Sequence, residues 1–384
     1  MRIKFFLALF IIFFGLPLTS YLIWYFTPTK KINILIADKT VSTFYRSEHR
    51  SLNWVLNRYR YVRHDGSPYL FDSNYYGFFP LEDKKYFIRD IDSLSEEALD
   101  SISEKLDIYH LADLYGVYYN EWYLDTFETE HSRKIYGGMS RNDLILLKKM
   151  KEKKKLILGE FNMLAHPTPT PIRHEAEKML DIKWSGWVLR YFDLLDTIKN
   201  PELPRWVIRL YMQQHGNQWP FKRSGIVFVH EDERLFILEN RTHLKREVPF
   251  IYASDYAVKK YNIIANVHYP YWIDITHTGK SNKVIAWYKI RPNKAGDSIL
   301  KAYNVPDVFP AIIEHLGDYR FYYFCGDFSD NPVELLTSRF WQIEKISGLF
   351  YSTMLYNERK KFFWKLYMPM MKNILNEYYL TKIR

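Results

Sequence analysis

The sequence predicts an α/β protein: a largely parallel sheet flanked by helices, with a β-rich insertion, an N-terminal transmembrane helix and a C-terminal helical segment. Three observations lead there. Between Ile32 and Gly159, short β-branched runs alternate with amphipathic stretches, the pattern of strand–helix–strand units with helices on both faces of a sheet. After Gly225 the spacing changes to strands joined by short turns, which reads as antiparallel. Ahead of both, residues 5–26 hold no charge, a length that crosses a hydrocarbon core as a helix.

Gly15 and Pro17 are tolerated in such a helix, and Trp24 and Tyr25 fall where an interfacial belt lies. No small-residue cleavage site follows, so an uncleaved signal anchor is expected, with a cleaved signal peptide as the alternative. Arg2 and Lys4 precede the stretch and Lys30 and Lys31 follow it, nearly a tie for orientation. The short leading tail favours a cytoplasmic N-terminus. The bulk of a single-pass envelope protein would then be extracytoplasmic, in the periplasm or at the cell surface.

Residues 32–38 read as the first strand and 46–57 as an amphipathic helix. Residues 61–80, rich in Tyr, Gly, Pro and Asp, read as an aromatic loop or hairpin. A helix over 93–105 leads to a second strand at 106–113. A third strand at 133–136 ends in Gly137-Gly138. Ser140 caps a helix to Glu152 with Leu144, Leu147 and Met150 on one face. Residues 156–159 form the fourth strand. Further helices are expected at 172–180, 184–196 and 204–215, and strands at 225–230, 234–239, 262–274 and 283–290. A hairpin over 311–326 follows, its second strand returning to the main sheet. From Pro332 onward strand signals cease, and 338–379 reads as helical with a break at Pro369. The domain boundaries expected are therefore 5–26, 32–330 with an insertion at about 224–290, and 332–384.

Composition bounds the function. The chain has 384 residues, 47% hydrophobic and 26% charged, enough for one large or two modest domains. Its 32 Tyr, 26 Phe and 11 Trp supply a large core. The net charge of +10 is dispersed, with no finger or Arg-rich signature, so nucleic acid is not an expected partner. The single cysteine, Cys325, excludes an intrachain disulfide and a cysteine-based metal site. It lies in an apolar run that reads as a buried strand, unlike a reactive thiol.

Ligands of open parallel sheets bind beyond the carboxyl ends of the strands. Strand one ends at Asp38, strand two at Asp113, strand three at Gly137-Gly138 and strand four at Gly159-Glu160. Asp38, Asp113 and Glu160 are thus the candidate catalytic carboxylates, able to bind a hard divalent cation, to act as acid and base or to hydrogen-bond sugar hydroxyls. Each also suits plain capping at a strand end. His166, just past strand four, is the best-placed histidine. Gly137, Gly138, Asn162, Tyr118 and Trp122 are the candidate ligand-binding residues at the same edge. There is no G-x-S-x-G, P-loop, G-x-G-x-x-G or H-E-x-x-H, so neither a cofactor nor a metal is expected.

The segment Ile135-Tyr136-Gly137-Gly138, the helix from Ser140 and the run Leu156-Ile157-Leu158-Gly159-Glu160-Phe161-Asn162-Met163 together resemble a class I glutamine amidotransferase-like domain. The hairpin from Glu314 to Phe328 is similar to the closing strands of trehalose-utilisation-type members. The resemblance runs from Ile32 to about Asp330 and implies a flavodoxin-like sheet. That family's elbow is G-x-C-x-G. Here Phe161 stands in the cysteine's place and Met163 in the second glycine's, and no downstream His-x-Glu is recognisable. A phenylalanine is no nucleophile, so glutamine hydrolysis by a thiolate is excluded at this corner.

The expectation is a membrane-anchored protein whose domain serves as a ligand-binding or assembly module. Aromatic loops (Tyr75, Tyr76, Tyr118, Tyr119, Trp122) suit a surface glycan and equally an envelope protein partner. The alternative is a carboxylate-based hydrolase, metal-assisted or using His166. A third reading is an interaction protein whose C-terminal aromatic helices dock a membrane partner; an exposed apolar patch there would support it, and burial of Phe350, Trp364 and Tyr367 against the sheet would remove the patch.

Overall fold

The computed structural model describes residues 4–6, 10–124 and 132–383. Arg2, used above for orientation, and residues 7–9 of the apolar stretch lie outside them. Among the described residues there are a ten-stranded sheet, a four-stranded sheet and two two-stranded ribbons.

Five neighbouring strands of the large sheet run parallel: β1 Ile34–Asp38, β2 Tyr76–Pro80, β3 Ile108–Asp113, β4 Leu156–Gly159 and β5 Arg320–Phe324. Their spatial order is β5-β4-β3-β1-β2. Every residue of β1, β3 and β4 is buried, which is why these strands read as continuous apolar runs rather than alternating ones. Helices Glu96–Lys105 and Arg141–Glu152 begin at Ser95 and Ser140, whose hydroxyls accept from amides three residues on. Leu144, Leu147 and Met150 are buried as the helical spacing requires.

The sheet as a whole is mixed. Beyond β5 it continues through Val308–His315, Lys283–Pro292, Leu244–Ala253 and Asn266–His268, all antiparallel, and beyond β2 through antiparallel Tyr86–Arg89. The expected largely parallel sheet holds only for its centre, because antiparallel strands build both wings. The closing hairpin does return to the main sheet, as β5 pairs with β4.

Several elements differ from expectation for identifiable reasons. Lys134–Tyr136 is not in the main sheet; it pairs with Val117–Tyr118 in a separate ribbon. The place beside β1 goes to Tyr76–Pro80, from the stretch read as a loop or hairpin. Residues 182–192 are a strand, not a helix. A register shift between Trp184 and Val188, with Gly186 at φ +89°, resets the alternation and hides the period of two. This strand lies in the four-stranded sheet between Gly225–His230 and Trp272–Thr278. The expected strand at 262–274 splits at Tyr269-Pro270-Tyr271 into pieces that join different sheets.

Pro369 does not break the last helix. Residues 360–382 stay helical through a π segment, Phe363–Tyr367. The Lys365 carbonyl, which lacks the amide that Pro369 cannot supply, accepts instead from Ile264 N at 3.0 Å. Phe363 and Trp364 pack edge-on against Trp54 of the Arg50–Arg58 helix at 5.2 and 5.0 Å. Phe362, Trp364 and Tyr367 are buried.

At the other end, Lys4–Phe26 is long and apolar enough to cross a membrane by length and composition. Its last turn docks on the domain: Trp24 Nε1 donates to the Asn57 carbonyl at 2.9 Å, with the Arg60 guanidinium over its ring.

Candidate functional site

The parallel strands start in register, Ile34 beside Ile108 beside Leu156 beside Arg320. Their carboxyl ends therefore open on one edge. A register shift after Ala37 makes Asp38 and Asp113 direct cross-strand neighbours. Two like charges so placed repel, and the surroundings deal with the two carboxyls differently.

Asp38 is fully buried, and its Oδ2 lies 2.5 Å from Nδ1 of an equally buried His49. The other ring nitrogen of His49 donates to the Phe71 carbonyl at 2.7 Å, which leaves Nδ1 to pair with the carboxyl. Asp113 Oδ1 accepts from Tyr115 N at 2.8 Å and from Asn162 Nδ2 at 3.4 Å. Burial pushes the Asp113 carboxyl up to about 7; the Asp38 charge adds to the rise, against the Tyr115 amide and the Asn162 side chain.

Three further carboxyls join them. Asp327 follows β5, is 5% exposed and has a buried Oδ1 without a hydrogen-bond partner. Burial, then the charges of Asp330, Asp113, Glu160 and Glu48, raise it well above the carboxylate range. Glu48 is raised by burial and by Asp38 and Asp330, and its Oε2 is likewise buried and unpartnered. Asp330 is the neutralised member: Arg359 Nη1 lies 3.2 Å from its Oδ1 and Tyr271 donates to its Oδ2 at 2.9 Å.

Glu160 sits in the same edge but its oxygens are occupied. It accepts from His110 Nε2 at 2.8 Å, Ser329 N at 2.8 Å and Ser329 Oγ at 2.6 Å. The Ser329 hydroxyl also meets Tyr367 of the last helix at 2.8 Å. This is a structural tie between the ends of β4 and β5, and His110 Nδ1 is left buried and unpartnered.

The corner after β4 has the geometry of a strand-to-turn elbow. Its left-handed residue is Asn162, at φ +64°, not Phe161. Phe161 turns inward, is buried and stacks on Trp272 at 5.9 Å. His166 is exposed, unlike the buried carboxyls. The space beside the two glycines belongs to the chain itself. A Cβ on Gly137 would meet the Gly116 Cα at 2.5 Å, and one on Gly138 the Pro167 carbonyl at 2.8 Å. Tyr118 and Trp122 are buried, Trp122 in a satellite cluster with Phe78, Val117 and Tyr136. Neither presents a face for sugar stacking.

The structure thus brings Asp38, Asp113, Glu160 and Asn162 together and adds His49, Glu48, Asp327, Asp330 and Arg359. Asp327 was reachable by applying the strand-end rule to β5. No sequence signal marks His49 or Arg359, which arrive from distant segments. Among the described residues no group of three or more His, Cys, Asp or Glu is arranged to hold a metal ion. Two surface cavities, of about 150 and about 610 Å³, lie elsewhere, the larger bordered by Tyr211, Phe236, His243 and Tyr303.

These features define a mixed α/β protein with a buried carboxyl-rich centre at the ends of its parallel strands. Neither a family model nor a curated protein matches the chain. Among solved structures it is similar to a ThuA-like protein from Bacteroides uniformis ATCC 8492, at 11% identity, 82% coverage of this chain, 90% of that chain and a TM-score of 0.32. A likeness at that level does not establish a shared fold.

Proposed function

We propose that the chain is a membrane-tethered envelope protein whose amidotransferase-like domain is a binding or assembly module without thiol chemistry. The observation that carries this reading is the elbow: Phe161 is buried against Trp272, and Glu160 is consumed by His110 and Ser329. Asp38 is likewise engaged, by His49 and by the Thr40 amide, so what remains for a ligand is Asp327, whose Oδ1 has no partner, with Asp113. Protonated and ionised carboxyls side by side both donate and accept hydrogen bonds, which suits a small polyhydroxylated ligand such as a glycan unit.

A second reading, a carboxylate-based hydrolase, is favoured by one observation. Asp113, raised to about 7, stands next to the Asp38–His49 pair, and a buried carboxyl that titrates near neutral pH is suited to general acid–base work.

Thermal unfolding of the full chain in detergent, against panels of sugars and of divalent metals, tests both. Ligands that bind the native state raise the melting temperature. A sugar shift without turnover, lost in Asp327→Asn, supports the binding module. Turnover of a glycosidic or ester substrate, abolished in Asp113→Asn, supports the hydrolase. No shift with any compound, and variants indistinguishable from wild type, overturns the assignment of this edge.

A further inference from the structure

We infer that residues 335–356 form a second, in-plane contact with the lipid bilayer, a platform on which the domain rests beside its N-terminal helix. The inference presupposes that Lys4–Phe26 is in the bilayer and adds to it where the domain sits.

The first argument is a depth. The apolar helix is hydrogen-bonded to the platform from inside its own span: Trp341 N donates to the Ser20 carbonyl at 3.2 Å, and Ser20 Oγ donates to the Trp341 carbonyl at 3.1 Å. Ser20 lies roughly 9 Å along the helix from Phe26. If the domain surface stayed wholly in water, only residues 5–19 would remain for the hydrocarbon, about 15 residues or roughly 22 Å. A hydrocarbon core is about 30 Å thick. The length is recovered when the surface at Trp341 sinks into the headgroup region, to the roughly 5–10 Å reached by interfacial segments.

The second argument is the chemistry of that surface. It exposes Leu336 at 64%, Ile346 at 51%, Leu349 at 81%, Met354 at 86% and Leu355 at 61%. Trp341, 43% exposed, is the residue type that favours the membrane–water boundary. The exposed charges in the segment are Arg339 and Lys345. The one acid within it, Glu344, is engaged by Arg58 through both oxygens, at 3.0 and 3.1 Å. An apolar face with free cations and its acid paired off fits an anionic lipid surface.

The third argument is attachment. Thr337 accepts from Trp54 Nε1 at 2.8 Å, and Phe350 stacks on Trp364 at 5.5 Å. The inner side of the segment is therefore part of the core, while its outer side stays apolar and uncovered. Continuity with the N-terminal helix selects lipid as the occupant.

The test places a fluorophore on single cysteines of the full chain, reconstituted in vesicles of phosphatidylcholine and phosphatidylglycerol. Native Cys325 is buried and stays unlabelled. Leu349→Cys and Met354→Cys report on the platform, Phe13→Cys on the helix, and Ile198→Cys, 90% exposed on a distant segment in sequence, on water. The expected result is blue-shifted emission and several-fold stronger quenching by lipid-borne quenchers at positions 13, 349 and 354 than at 198. If position 13 is quenched while 349 and 354 behave like 198, the platform is overturned and the helix keeps its place. If position 13 is not quenched, both fall. Met354→Cys gives the readout should Leu349→Cys fail to fold.

Discussion

Ser329 holds both oxygens of Glu160, its hydroxyl donating to Oε1 at 2.6 Å and its amide to Oε2 at 2.8 Å. The residue after β4 is thereby bound to the segment after β5, and through Tyr367 to the last helix. Cutting this tie leaves buried donors unsatisfied. Glu160→Gln turns one acceptor into a donor facing donors and should cost about 2–4 kcal/mol. Ser329→Ala, which leaves the amide bond in place, should cost about 1 kcal/mol. Denaturant titration of the two variants checks the order, and equal effects would mean the hydroxyl carries the whole tie.

Asp113 gives a pH dependence with a definite sign. Its carboxyl, raised to about 7 in the fold, ionises near 3.9 in the unfolded chain. Between about pH 4 and 7 the native state therefore binds the extra proton, and stability falls as pH rises, up to about 4 kcal/mol in all. Asp113→Asn keeps the acceptor for Tyr115 and is neutral at every pH. It should match wild type near pH 4 and exceed it at pH 8. Melting curves that run parallel across that range would show that Asp113 does not titrate there.

The elbow predicts that restoring the missing thiol fails. Phe161→Cys places the sulfur inside the core, leaves the cavity of the lost ring beside Trp272, and should cost about 3 kcal/mol. Glutamine hydrolysis should stay at background in an ammonia-release assay. Measurable hydrolysis would mean that the corner still presents this position to a substrate.

Gly138 separates a ligand cradle from a backbone contact. At φ +83°, with the Pro167 carbonyl 2.8 Å from a would-be Cβ, Gly138→Ala should cost at least about 2 kcal/mol with no ligand present. Unchanged stability would return the position to the list of binding residues. The Lys39 ammonium, which donates to the Gly138 carbonyl at 3.0 Å and to Asp143 at 2.6 Å, would move with it.

Much of the centre was legible because its strands are buried on both faces and announce themselves as apolar runs. β1, β3, β4 and the returning β5 were read within two residues at most ends, and Ser140 marked its helix as an N-cap. Residues 182–192 were misread because a bulge at Gly186 breaks their alternation. The Pro369 break was misread because the partner that rescues the freed carbonyl, Ile264, lies far away in sequence.

By itself the sequence determined what local chemistry fixes: an uncharged N-terminal stretch, the apolar central strands, the acids that end them, and the absence of a thiol at the elbow. Only the tertiary structure decided which acids stay free. Glu160 is spent on Ser329 while Asp327 keeps an unpartnered oxygen. Those partners come from segments brought together by packing, and a hydrogen bond depends on distance in space, which spacing along the chain does not encode.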